Sequence, residues 1–302
     1  MRNKVIEIFV KVDDFCLECE DEIKKHLLES GLSGSRNRKV SLSESELITI
    51  SIAFHRGSFR NFKHFYLHYV RAHLKDCFPN LVSYNRYIEL LTRCGIAYML
   101  FVKTSCMGQC TGINYIDSTP LRVCNNRRIH NHKVFASTAE RGYCSMGWFF
   151  GFKLHLIIND KGELMSFYLT KANVDDRDVK VLSDMTTNIF GKLFGDKGYI
   201  SKALTELLFK DGIQLITKVR KNMKKKPLSD QEKILLRKRA VIETVNDELK
   251  NMCQIEHTRH RSLNGFLFNI LGALAAYSFF PKKPSINVDF EENNNQLYLI
   301  AA

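Results

Sequence analysis

The 302-residue sequence is short of acidic residues, with 32 Asp and Glu against 45 Lys and Arg and a net charge of +13. A basic balance of this kind favours polyanionic partners, because each phosphate that is neutralised releases condensed counterions. Nucleic acid is the first such partner, and an anionic membrane surface is the second. The 45% hydrophobic content is enough for a packed core, so no disulfide or metal staple is required for folding.

The sequence also lacks an apolar run at its N-terminus, since "MRNKVIEIFVKVDDF" turns acidic before a secretory signal could form. Its nine cysteines are an odd number, and reduced thiols in a cytoplasm fit them best. Two pairs, Cys16 with Cys19 and Cys106 with Cys110, have spacings compatible with structural zinc. We disfavour zinc because the pairs are far apart in sequence and the first pair falls in a predicted helix.

Long apolar runs are scarce, and the single candidate for a membrane span is the uncharged stretch "SLNGFLFNILGALAAYSFF", residues 262–280. Basic residues flank it on both sides, as they would flank a span. Asn264, Asn269 and two glycines lower its apolarity. We therefore predict a buried packing helix here, with a membrane span as the alternative, and we expect no membrane partner.

Residues 1–108 are predicted to form a helical domain. Apolar residues recur at helical spacing, Ser43 and Glu46 form a capping box, Gly57 ends that helix, and Ser83 can cap another. Basic and aromatic residues share faces in "FRNFKHFYLHYVRAHL". Two interpretations remain open: a helix-turn-helix-like DNA-binding domain, or a helical bundle whose charges are only solvated.

After residue 108 the pattern changes to β-branched and aromatic runs separated by helices. Three consecutive strands are followed by helix, strand, helix, strand and a long helix from about Ser229. This order predicts an α/β fold, a ribonuclease H-like mixed five-stranded sheet with flanking helices. We assign it to residues 109–285 and treat 286–302 as a C-terminal tail.

Two aspartates follow apolar runs in predicted strands. Asp117 lies in "NYIDSTP" on the first strand, and Asp196 lies in "FGDKGYI" at the end of the fourth. These strands are neighbours in the predicted sheet, so the two carboxylates should meet, and a carboxylate buried there must be paired, hydrogen-bonded or metal-bound. For Asp196 alone, between Gly195 and Gly198, a solvated turn is the alternative.

Glu243 in "RAVIETVNDELK" is the third candidate. Arg239 precedes it by four residues and Lys250 follows by seven, so a helix would place all three on one face. An ordinary salt-bridged helix is the alternative. Two aspartates and a glutamate suit Mg²⁺ or Mn²⁺, and two such ions would support in-line phosphodiester displacement, which is nuclease and strand-transfer chemistry.

These residues resemble those of the bacterial DDE transposases, and most closely the insertion sequence 982 family. The resemblance covers most of the chain: "SYNRYIELL", "YIDSTPLRVC", "GWFFGFKLHLIIND", "TKANVDDRDV", "FGDKGYI", "RAVIETVNDELK" and "HTRHRS". The wider group often has a tyrosine three residues before the arginine. Leu236 stands there in this chain, which puts in doubt any tyrosine-dependent role but not the triad.

The resemblance implies that Asp117, Asp196 and Glu243 bind two Mg²⁺ or Mn²⁺ ions and that Arg239 and Lys250 contact DNA or support the glutamate. We also expect Lys153 and His155 near Asp117, with Lys153 touching phosphate and His155 more simply explained as a core histidine. The acidic cluster at Asp175, Asp176 and Asp178 is interpreted as a helix start. Further backbone contacts are predicted for a set of basic residues: Arg127, Arg128, Lys133, Lys197, Lys221, Lys224 and Lys225.

The resemblance implies a cytoplasmic, nucleoid-associated transposase that binds the terminal inverted repeats of a mobile element and joins them to target DNA. It would work as a homodimer or higher oligomer in a synaptic complex. Two other functions stay open: a ribonuclease H-like nuclease or resolvase without strand transfer, and a catalytically silent DNA-binding regulator. The intact acids argue against the regulator, since each would repel phosphate.

Overall fold

The computed structural model describes residues 1–29, 41–57, 59–219, 222–223, 227–256 and 260–286. The chain divides into two compact units, one of residues 1–106 with 248–280 and the other of residues 107–247 with 281–302. We call the first the helical unit, which includes residues 248–280, and the second the α/β unit. The predicted tail lies outside the described residues except for Ile286.

The N-terminal part of the helical unit contains seven α-helices and one π-helix in its described residues. They are α1 (Arg2–Glu18), α2 (Glu20–Glu29), α3 (Glu44–Arg56), α4 (Phe62–His64), the π-helix Phe65–Val70, α5 (Arg71–His73), α6 (Tyr84–Arg93) and α7 (Gly95–Ser105). The predicted capping box of Ser43 and Glu46 is present at α3, and Ser83 caps α6. Tyr87 of α6 is fully buried and donates its hydroxyl to the Leu47 carbonyl of α3 at 2.8 Å.

The α/β unit contains a six-stranded mixed sheet. Its strands are β1 (Ile113–Cys124), β2 (Glu140–Cys144), β3 (Gly147–Asn159), β4 (Leu164–Lys171), β5 (Gly191–Gly195) and β6 (Ile213–Thr217). The order is β2-β3-β1-β5-β6, and β4 also pairs with β3. β1 is antiparallel to β3 and parallel to β5, and β5 is parallel to β6. The predicted fold class is confirmed, but the predicted strand count misses β2.

The short strand β2 occupies a free stretch of the β3 edge. It pairs with residues 147–151 of β3, whereas β4 pairs with residues 152–158. Its sequence "ERGYC" has no apolar run, so the sequence pattern predicts no strand there. The pairing exists because β3, at 13 residues, is longer than β4, at 8.

Helices cover both faces of the sheet: α8 (Val179–Thr186), α9 (Lys202–Lys210), α10 (Asp230–Arg237) and α11 (Ala240–Asn251). Ile116, Ile157 and Leu193 pack on the face that carries the α8 and α9 side chains. On the other face Tyr115 donates its hydroxyl to the Leu235 carbonyl of α10 at 3.3 Å. Asp178 caps α8, which confirms that this acidic cluster begins a helix.

The long helix predicted from Ser229 is wrong in one respect, because it is two helices. Residues 238 and 239 form a turn between α10 and α11. Val241 and Ile242 donate their backbone N–H groups to the carbonyls of Lys238 and Arg239, which are i to i−3 bonds that tighten the chain. Arg239 therefore stands immediately before α11 rather than inside a continuous helix.

The last helix, α12 (Leu263–Ser278), is the predicted packing helix and begins at a Ser262 cap. It packs against α3 and α7, and this burial explains why residues 248–280 belong to the helical unit. α12 has 16 residues. Across the described ranges of the chain, no helix combines the length and apolarity needed to cross a bilayer.

Candidate active site

Asp117 lies within β1 and Asp196 directly follows β5, at equivalent positions along two neighbouring parallel strands. The β1–β5 pairing aligns Tyr115 with Phe194, and each aspartate lies two residues further along its chain. The Tyr115 and Phe194 rings stack at 5.4 Å, so both point to the face that carries α10. Because side chains two residues apart share a face, and adjacent strands lie about 4.8 Å apart, both carboxylates are directed to that face.

The turn after β5 orients the Asp196 carboxylate. Asp196 caps a 3₁₀ turn, Lys197–Tyr199, and its Oδ1 accepts the Gly198 N–H at 2.7 Å. A Cβ on residue 198 would lie 2.8 Å from that oxygen, so the glycine makes room for the carboxylate itself. Gly195 has a different role, because its Cα faces away from the Asp196 carboxylate. A Cβ on residue 195 would meet Tyr199 and Ile116 in the core of the opposite face.

Asp117 is held by two side chains from the α10–α11 region. Asn246 donates its Nδ2 to Asp117 Oδ2 at 3.1 Å, and an Arg239 guanidinium nitrogen lies 3.9 Å from Oδ1. The Asp117 side chain keeps 22% of its area exposed. Burial raises the pKa of Asp117 to about 7, Arg239 opposes this shift, and the charges of Asp196 and Glu243 add to it. The three acids therefore interact electrostatically, and their mutual repulsion is one that a bound cation would relieve.

The Asp117 pKa leads to a prediction for the metal-free protein. The folded-state pKa, about 7, lies above the usual 3.8, so folding favours the protonated acid. The contribution of protonated Asp117 to the free energy of unfolding is fully present below the unfolded-state pKa and is lost as the pH rises through about 7. We expect Asp117→Asn to raise the melting temperature more at about pH 8 than at about pH 5. Thermal melts in chelator measure this, and an equal effect at both pH values would contradict it.

Glu243 is connected to Asp117 through Arg239. The same guanidinium that approaches Asp117 contacts Glu243 Oε1 at 2.6 Å. The Glu243 side chain is 58% exposed and faces solvent and the arginine. Among the described residues, no three His, Cys, Asp or Glu side chains are close enough to hold a metal ion. The structure thus brings Asp117 and Asp196 to one face and places Glu243 next to Asp117 without closing the triad.

Asn246 is a site residue that the sequence interpretation missed. It is buried, with 7% of its area exposed, and its Oδ1 has no hydrogen-bond partner among the described residues. An amide oxygen is a ligand that Mg²⁺ and Mn²⁺ accept, either directly or through a bound water. Together with the two aspartates, this buried acceptor gives a donor set of the right chemistry for a hard divalent cation. Its spacing from Glu243, three residues along one helix, could have identified it.

Comparisons with known proteins identify the family of this chain. Residues 107–263, slightly more than half of the chain, match the family model described as Transposase DDE domain. The chain belongs to this transposase family. No curated protein matches it. Among solved structures, a cryo-EM structure of the piggyBac transposase synaptic complex with hairpin DNA is similar at 11% identity and a TM-score of 0.46, over 90% of this chain and 71% of that one.

Two of the predicted site residues lie on the other face of the DDE domain sheet. Asp117 pairs across β1 and β3 with Leu156, so Lys153 and His155 point away from it. Lys153 donates to the Val174 carbonyl at 2.8 Å and to Asp176 at 3.0 Å. The expected position of Lys153 and His155 beside Asp117 is therefore wrong.

His155 is a core histidine, as the simpler interpretation held. It is fully buried, and its Nε2 shares a 2.9 Å hydrogen bond with the Thr170 hydroxyl. Burial lowers the pKa of His155 to about 4, against an opposing effect of Asp176. His155 is neutral at physiological pH and offers no charge to a phosphate.

The remaining basic residues predicted for DNA contact have varied surroundings in the transposase. Arg127, Arg128 and Lys133 are exposed on the segment after β1, and Lys197 is exposed beside Asp196. Lys250 at the end of α11 is half-buried and pairs with Glu256 at 3.6 Å. Three members of the predicted set lie outside the described residues: Lys221, Lys224 and Lys225.

The helical unit of the transposase has a groove of about 660 Å³ near the starts of α6 and α12. Lys63, Tyr84 and Arg261 line it, and Lys63 lies 5.8 Å from the Tyr84 ring centroid. The described residues that line the groove include no Asp or Glu. A concave surface with this charge and an aromatic wall suits an anionic, base-bearing ligand.

Proposed function

We propose that this protein is the transposase of a bacterial insertion sequence resembling the 982 family. It would bind the terminal inverted repeats, cleave at the element ends and join the freed 3′-hydroxyls to target DNA. The observation that carries the proposal is the alignment of Asp117 and Asp196 on one face of the sheet, inside a chain segment that matches the transposase DDE family.

The donor set would hold Mg²⁺ or Mn²⁺, most simply two ions bound by Asp117, Asp196 and Glu243 with Asn246 alongside. Bound by these residues, a divalent cation would supply charge stabilisation for the attacking water or 3′-hydroxyl and for the leaving oxygen. The carboxylates must be ionised to bind a cation, so we expect affinity to fall as the pH drops below the raised pKa of Asp117. A closing movement of Glu243 toward Asp117 would complete the site on loading.

Arg239 has a supporting role in this proposal. It lowers the pKa of Asp117, which keeps more of the acid ionised near neutral pH, and it fixes the Glu243 carboxylate through a 2.6 Å contact. Its planar fork holds two acceptors in a fixed geometry, whereas a lysine ammonium is a point charge with three rotatable donors. Lys197, exposed next to Asp196, would bind a phosphate close to the scissile one.

Basic surfaces away from the three acidic residues would bind the rest of the DNA. The groove of Lys63, Tyr84 and Arg261 has the chemistry to hold a DNA backbone, which supports a DNA-binding helical domain. Arg127, Arg128, Lys133 and Lys250 are proposed as further phosphate contacts. One chain holds one set of acids, so bringing two element ends together would need a homodimer or a larger oligomer. This complex would act at the bacterial nucleoid.

Strand transfer separates this function from a nuclease or resolvase. We expect a pre-cut end with a 3′-hydroxyl to be joined to a plasmid in Mg²⁺ or Mn²⁺, while the same end with a 3′-deoxy terminus is not joined. Joined products resolved on a denaturing gel measure this. Cleavage without joining would favour a nuclease, and DNA binding without either reaction would favour the regulator.

A further inference from the structure

The β2–β3 hairpin carries an exposed aromatic tip. Its register pairs Tyr143 with Trp148 and Cys144 with Gly147, and Ser145 and Met146 form the turn. Gly147 has φ +100°, a value that favours glycine and allows this tight connection. Trp148, the single tryptophan of the chain, is 64% exposed, as is Tyr143, and Met146 is 78% exposed.

The hairpin tip makes side-chain and backbone contacts with its neighbours. The Tyr143 and Trp148 rings meet edge to face at 5.5 Å. Asn126 donates its side-chain amide to the Trp148 carbonyl at 2.7 Å, which ties the tip to the segment after β1. Phe149 and Phe150, the next residues of β3, are buried. Two exposed rings on a rigid base form an apolar surface of the kind that marks a binding site.

The charge around the tip favours nucleic acid as the partner. Residues 125–149 contain four exposed cations, Arg127, Arg128, Lys133 and Arg141, against one acid. That acid, Glu140, lies 3.7 Å from Lys171 and is compensated. An aromatic platform bordered by uncompensated cations is the arrangement that holds bases by stacking and phosphates by charge.

The position of the tip along β3 gives its distance from Asp117. Asp117 of β1 pairs with Leu156 of β3, and Trp148 lies eight residues (156 minus 148) from Leu156 along the same strand. Eight residues of strand span about 27 Å. At about 3.4 Å per base pair, this corresponds to about eight base pairs of DNA. The tip therefore reaches nucleotides that flank the scissile phosphate and not the phosphate itself.

We propose that Tyr143, Met146 and Trp148 form a base-stacking wedge that binds unpaired or opened DNA bases about eight nucleotides from the cleavage position. Arg127 and Arg128 hold the adjoining backbone. This inference rests on the proposed DNA transposase function and adds to it a surface that distinguishes opened from fully paired DNA.

The single tryptophan makes the test direct, because all indole fluorescence comes from the tip. The probes are a synthetic duplex with a mismatched bubble and the same duplex fully paired. We expect the bubble to quench Trp148 fluorescence and the paired duplex to quench it less. Trp148→Ala and Tyr143→Ala should each weaken binding to the bubble by about 10- to 100-fold, while Trp148→Phe retains most of it.

Phe209→Ala is the matched control, since Phe209 is 73% exposed on α9 and lies outside this surface. Thermal melts confirm that the variants fold. Bubble binding without quenching, or unchanged affinity in Trp148→Ala, would overturn the wedge. If Trp148 fluorescence falls as the protein concentration rises in the absence of DNA, the tip binds a second copy of the chain and the wedge proposal is wrong. Strand transfer assayed in parallel keeps the two proposals separate, because joining can persist when the wedge fails and quenching can persist when joining fails.

Discussion

Asp196→Asn is expected to reduce metal-dependent cleavage of element-end DNA by about 1,000-fold or more, which corresponds to about 4 kcal/mol of transition-state stabilisation. Asparagine has the size of aspartate and can still accept the Gly198 N–H, so the turn after β5 should keep its shape. What it loses is the negative charge that a divalent cation requires. The effect should therefore fall on the chemical step and leave folding and DNA affinity nearly unchanged.

Asp211→Asn is the matched control for this variant. Asp211 is exposed at the C-terminal end of α9, in the same β5–α9–β6 region. Its substitution removes the same negative charge at a position outside the proposed site. Initial cleavage rates, DNA affinity by anisotropy and melting temperature should be measured for both. Wild-type cleavage by Asp196→Asn in Mg²⁺ and in Mn²⁺ would show that Asp196 is a turn residue and not a metal ligand.

Arg239→Met is expected to lower cleavage by about 100-fold, or about 2.7 kcal/mol. Methionine retains the apolar stem but removes the guanidinium that contacts Glu243 and approaches Asp117. Because Arg239 lowers the pKa of Asp117, its removal should raise that pKa further. The acidic limb of the pH–rate profile should then move to higher pH, a result that a purely structural role would not produce.

Arg237→Met serves as its control, since Arg237 is exposed at the end of α10, two residues earlier in the chain. Arg239→Lys gives a second comparison, because lysine restores the charge but not the planar fork. We expect Arg239→Lys to recover part of the pH shift and little of the rate. An unchanged acidic limb in Arg239→Met would mean that the arginine does not control Asp117.

The parts of the fold that sequence could predict are those encoded by neighbouring residues. The caps at Ser43 and Ser83 depend on side chains bonding backbone groups three residues away, and both form. The strands β1, β3 and β4 have apolar runs that only a sheet can bury. Asp117 and Asp196 came together because the strand order, once predicted, makes β1 and β5 neighbours.

The parts that sequence could not predict depend on distant contacts. Lys153 and His155 were expected beside Asp117, but a strand's faces alternate, and the β1–β3 register decides which face each residue occupies. No local pattern contains that register. The turn at residues 238–239 separates α10, whose Leu235 carbonyl accepts the Tyr115 hydroxyl, from α11, whose Asn246 reaches Asp117. A helical repeat cannot reveal these long-range contacts. α12 is apolar nearly all round, so its sequence predicted burial without identifying α3 and α7 as its partners.

The central claim is that Asp117 and Asp196 bind the catalytic metal, and locating Mn²⁺ by anomalous diffraction tests it most directly. Crystals of the full chain with cleaved end DNA, soaked in Mn²⁺, should show anomalous density between the two aspartates and beside Glu243. The density should be lost in Asp196→Asn and retained in Asp211→Asn. Mn²⁺ bound only elsewhere, in crystals whose protein still cleaves, would contradict the account.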